Sequence, residues 1–108
     1  PSHDLHKDHQ LVFASTLVAT RPFSSSVKQL LSYESPGPVI QPFRPTVYEN
    51  VEKEFSYKLN AFKMYKSEVM RFPHPRSIRA VENLAVLRGV ESGLKKAEAF
   101  QLIRNIID

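Results

Sequence analysis

Three histidines and two aspartates fall in the run His3-Asp4-Leu5-His6-Lys7-Asp8-His9. An imidazole can ligate a metal through a ring nitrogen, exchange a proton near neutral pH, or hydrogen-bond an oxygen that gains charge. Carboxylates beside it can hold the ring in one orientation through its second nitrogen. If this run opens a helix, His6 and His9 are three positions apart and share a face. One ring could then bind a metal while the other faced a reacting oxygen or a departing amine. Asp8 near a helix start is equally an ordinary partner for the helix dipole. Spacing alone leaves two readings open: a functional site, or a capped helix start or tail with adventitious histidines. A catalytic zinc needs about three protein ligands and a water, so a linear run this tight needs help from elsewhere. His74 stands between Pro73 and Pro75 and reads as part of a rigid turn.

The elements that would position these groups follow from the pattern downstream. Leu11-Val12-Phe13-Ala14 and Leu17-Val18-Ala19 predict a helix from Asp8 that is apolar over much of its surface and therefore largely buried. It should end near Arg21-Pro22, because the residue before proline avoids helical backbone. Residues 27–33 read as a strand entering a proline-rich loop that holds Pro36, Pro38, Pro42 and Pro45, and residues 45–48 as a short strand or edge piece. A second helix is predicted over 51–68, with Phe55, Leu59, Phe62 and Val69 inward and Lys53, Lys58, Lys63 and Lys66 outward. Ser77 is the expected N-cap of a third helix buried through Val81, Leu84, Ala85 and Leu87 and ended by Gly89 or Gly93. Residues 97–103 alternate and favour a strand, although Leu102, Ile103, Ile106 and Ile107 also suit one helix face.

Composition narrows the function classes. A chain of 108 residues, 42% hydrophobic and 24% charged, has the make-up of one globular domain. The net charge of +4 is carried by scattered bases with no basic-aromatic strip, which argues against a nucleic-acid platform and for a solvated surface. With no cysteine, disulfides and thiolate metal sites are excluded. No apolar run approaches the ~20 residues of a membrane span, and no secretory signal is seen. A cytoplasmic location is the expectation.

The segment from Pro1 to His9 resembles a motif of the PIG-L, or LmbE-like, de-N-acetylase family, in which a strand ends in proline and His-x-Asp-His opens a helix; here these positions are His6, Asp8 and His9. Further segments are similar in the family's order: Leu31-Ser32-Tyr33-Glu34-Ser35-Pro36 to its Tyr-Glu-x-Pro strand end, and Phe43-Arg44-Pro45 to its Phe-x-Pro segment. Lys58 to Ser67 looks like its Tyr-x-Ser helix end, with Glu68 where glutamine is usual. His74-Pro75-Arg76-Ser77, Arg88-Gly89, Gly93 and Ala97-Glu98-Ala99-Phe100 read like its closing region. The resemblance spans nearly the whole chain.

The resemblance implies an α/β fold, the C-terminal portion of a Rossmann-like three-layer architecture with helices on a small, partly parallel sheet. It implies zinc-dependent hydrolysis of an N-acetyl group from a glucosamine-type sugar or glycoconjugate, with His9 as one zinc ligand. His6 would steady the oxyanion or protonate the leaving amine, and Asp8 would orient an imidazole. The family's Ala-His-Pro-Asp-Asp motif, which supplies two ligands and the general base, has no match here. Residues 1–108 are therefore expected to be the C-terminal half of one domain, inactive alone and partnered by an N-terminal half of the same protein. Without that half, exposed faces would favour self-association. The alternative is a non-catalytic interaction fragment or a degenerate relative without a complete zinc site. Among other residues, Arg76 is expected in a surface ion pair, Arg88 with Glu98 in a pair that pins the tail, and Tyr33 and Glu34 either at a cleft or in packing.

Overall fold

The computed structural model describes residues 7–35 and 42–108. Their elements are α1 (Lys7–Ala19), β1 (Gln29–Tyr33), β2 (Val47–Asn50), α2 (Phe55–Met64), α3 (Ile78–Ser92) and β3 (Ala97–Asn105). The three strands form one antiparallel sheet in the order β1-β3-β2. This overturns the expected partly parallel, Rossmann-like sheet. A parallel neighbour arises when a single helical crossover carries the chain back to the end where the previous strand began. Here β2 and β3 are separated by two helices, an even number of traverses, so β3 enters from the opposite end. The flanking bonds run accordingly: Thr46 N donates to Phe100 O at 2.8 Å, and Val51 N to Lys96 O at 3.2 Å.

The chain divides into two compact units, one of Pro1–Val47 with Phe100–Asp108, the other Tyr48–Ala99. In the first, α1 holds neither glycine nor proline and stops before Pro22, as its sequence predicts. Thr16 and Thr20 turn their hydroxyls back onto the carbonyls of Val12 and Thr16, each at 2.7 Å, which satisfies them within the helix. The helix is apolar but not buried, contrary to expectation: none of its residues is buried, and Leu11 is 66% and Val12 64% exposed. β1 pairs with β3 from Gln29 opposite Asn105 to Tyr33 opposite Phe100, with a shift between Leu30 and Leu31. Leu30 faces Arg104 and Leu31 faces Leu102, so Ile103 is the extra residue of a bulge, a device that bends a strand and re-aims side chains. The Arg104 guanidinium donates to the Thr20 carbonyl. It brings a cation to the C-terminal end of a helix whose own last turn has none.

In the second unit, α2 is shorter than the expected 51–68. Asn50 takes the Glu52 N–H on its side-chain oxygen at 3.0 Å, and Glu54 N closes on Val51 O at 3.1 Å. This local turn delays the helix to Phe55. At the far end, Glu68 N bonds Tyr65 O at 2.8 Å, a separate turn. Phe55 is the anchor, buried at 2% exposure with the Lys96 ammonium 4.7 Å from its ring centre. Ala85, Ala97 and Ala99 are buried as well. α3 matches its sequence signals at both ends. Ser77 is extended and accepts from Ala80 N at 3.1 Å, and Gly93 closes the helix in the left-handed region at φ 75. Gly89 is no terminator: it lies inside α3 and receives the chain that returns, with Leu94 N bonded to its carbonyl at 2.8 Å.

Candidate functional site

His9, Val12, Phe13, Thr16 and Leu17 recur at the spacing that keeps them on one face of α1. That face forms one wall of a cleft of about 140 Å³, whose other wall is Leu30 to Tyr33 of β1 with Ile103 of β3. The bulge at Ile103 and the Arg104 tie to Thr20 belong to the same unit and set how the helix lies over these strands. The lining is mostly aliphatic and aromatic. Among the described residues its polar members are His9, Thr16, Ser32 and Tyr33.

The candidates drawn from the sequence separate here. His9 is half-buried and lines the cleft, and Tyr33 lines it with the residue still about half exposed. Asp8 lies in the first turn of α1, exposed, and does not line the cleft. His6 lies outside the described residues, as do His3, Asp4 and Pro36. Glu34 follows β1 and is not part of the lining. His74 behaves as a turn residue: its Nδ1 accepts from Arg76 N at 3.0 Å. Arg76 pairs on the surface with Glu68 at 2.7 Å.

The expected Arg88–Glu98 pair gives way to two others. Glu98 on β3 is met by Lys58 of α2 at 2.6 Å, while Arg88 holds Glu91 at 2.9 Å, one turn along the same helix. The local partner wins because it needs no tertiary alignment. Glu91 also accepts from the Tyr48 hydroxyl at 3.2 Å. The Arg88 hydrogen bond, with smaller help from its charge and from Tyr48, holds the Glu91 carboxyl below its usual range against an opposing desolvation.

Sequence reasoning missed Ser32. It is 5% exposed, lines the cleft, and its hydroxyl has no hydrogen-bond partner among the described residues. The available signal was a lone small hydroxyl inside the run Leu30-Leu31-Ser32-Tyr33.

Among the described residues, no group of three or more His, Cys, Asp or Glu is placed to hold a metal ion.

No family model matches the chain, and no solved structure does. The chain is similar to an uncharacterized deacetylase of Escherichia coli strain K12, YaiS, 40% identical over 65 residues. The match takes in 59% of this chain and spans about a third (32%) of that relative. The similarity is to a protein named as a deacetylase. No helix among the described residues is long and apolar enough to cross a membrane.

Proposed function

We propose that this chain is the C-terminal part of a zinc-dependent hydrolase that removes an N-acetyl group from an amino sugar or its glycoconjugate. The observation that carries the reading is the similarity to a protein named as a deacetylase. The half-buried imidazole of His9 on a cleft wall is in keeping with it. The reaction adds water across an amide: a C–O bond forms at the acyl carbon, the C–N bond breaks, and the amine takes a proton. In this reading His9 is one metal ligand. His6, three residues earlier, steadies the oxyanion or delivers the proton to the amine, and Asp8 orients an imidazole. The remaining ligands and the general base come from polypeptide outside these residues. The enzyme acts in the cytoplasm.

The isolated chain should release no acetate from N-acetylglucosamine-type substrates with added zinc. Turnover comparable to that of an intact deacetylase would overturn the view that the site is shared with other polypeptide. In a longer form carrying the other ligands, His9→Ala should abolish zinc retention, measured by metal analysis after dialysis. Undiminished zinc in that variant would favour the rival reading, a non-catalytic interaction module.

A further inference from the structure

The cleft between α1 and β1 holds a feature that packing does not explain. Ser32 is 5% exposed and its hydroxyl has no partner among the described residues, whereas buried polar side chains nearly always have one. Ser32 shares the lining with the apolar side chains of Leu30, Leu31, Phe13 and Ile103. Thr16, the other aliphatic hydroxyl there, already donates to Val12 O at 2.7 Å. What fits is an apolar molecule carrying one oxygen that can accept from Ser32. The volume of about 140 Å³ is close to that of a cavity able to take a benzene-sized guest, or roughly four to six carbons. Among the described residues no Lys or Arg lines the cleft. A neutral amide therefore enters more readily than a carboxylate, which would lose its hydration with no lysine or arginine beside it.

We propose that this cleft binds the acyl portion of an N-acylated substrate: a short aliphatic chain against Val12, Phe13, Leu17, Leu31 and Ile103, with an amide oxygen accepting from the Ser32 hydroxyl. The assignment of the guest as an acyl group rests on the hydrolase reading above; the binding itself does not. The cleft exceeds the size of an acetyl group, so it also admits butanoyl to hexanoyl chains. Because it takes the amide and rejects the acid, it also separates substrate from product.

The test is a titration of the full 108-residue chain with hexanamide, acetamide and sodium hexanoate, followed by methyl and amide NMR. Hexanamide should bind saturably with shifts at Val12, Leu30, Leu31 and Ile103, and acetamide and hexanoate at least about tenfold more weakly. Ser32→Ala should weaken hexanamide binding about tenfold, the loss of one hydrogen bond. Val12→Phe, at an exposed position that tolerates bulk, should block the cleft. Absence of saturable hexanamide binding overturns the proposal. So does binding unchanged in both variants, or hexanoate binding as well as the amide. If hexanamide binds as described while a longer form cleaves no N-acyl sugar, the cleft stands and the hydrolase reading falls. If acetyl sugars are cleaved and hexanamide does not bind, the reverse holds.

Discussion

Arg88 and Glu91 show how a single pair acquires a pH signature. The folded carboxyl titrates below its ordinary value, so protons bind less readily to the folded chain than to the unfolded one. The contribution of the pair is therefore present above the usual carboxylate range and is lost as pH falls through the depressed folded value. Glu91 is well exposed, and screening keeps that contribution small. Carboxyl NMR should show Glu91 titrating below the ordinary glutamate value, and Arg88→Met should return it toward that value. A Glu91 value unchanged by that substitution would mean that Tyr48 holds the carboxylate instead. Legibility at this scale depended on chemistry that is visible in a residue's type. Arg76 and His74 behaved as their neighbours implied, whereas the spacing of His9 left its role open. Ser32 stayed hidden, since a serine's importance lies in whether its hydroxyl is satisfied, which only tertiary placement decides.

Among the elements, α3 was the most legible, and its two ends are separately testable. Ser77→Ala removes the N-cap acceptor for Ala80 N and should cost about 1 kcal/mol in urea unfolding. The two glycines differ in kind. At Gly93 a side chain meets open space but the backbone is left-handed, so Gly93→Ala should cost about 1 kcal/mol. At Gly89 a Cβ would lie 2.6 Å from Leu94 O and 2.8 Å from Lys95 backbone atoms. Backbone cannot swing aside as a side chain does, so Gly89→Ala should cost more, about 2–3 kcal/mol. Equal losses at the two sites would show that the return of the chain across Gly89 relaxes in solution. The strands were found but their pairing was not. Alternation reports which residues share a face, and it is silent on whether a distant neighbour runs with or against the strand. The bounds of α2 were missed for a related reason: Asn50 and Tyr65 make turns that outcompete a helical pattern continuous in composition.

For the molecule as a whole, the instructive departure is α1. Its sequence has the apolar breadth of a buried helix, yet Leu11, Val12 and Val18 are each more than half exposed, as is Phe23 beyond it. Exposed apolar side chains of this kind favour association when they lie together. The double variant Leu11→Lys with Val18→Lys should unfold within about 0.5 kcal/mol of the parent chain, as surface changes do. It should also reduce concentration-dependent association in sedimentation. A loss of several kcal/mol would show instead that these side chains are buried in the chain as it exists in solution.

β3 is the latest of the three strands in sequence and the middle one in space. Neither of the strands that precede it pairs with the other, so each leaves the ribosome with nothing in this sheet to bond to. Both ladders must wait for the same segment, and Gln29 finds Asn105 only across most of the chain. Closing such long loops costs entropy before any contact repays it, so assembly of the sheet should be late, slow and all at once. A nascent chain paused before β3 would present two open edges, the state in which chaperones matter most.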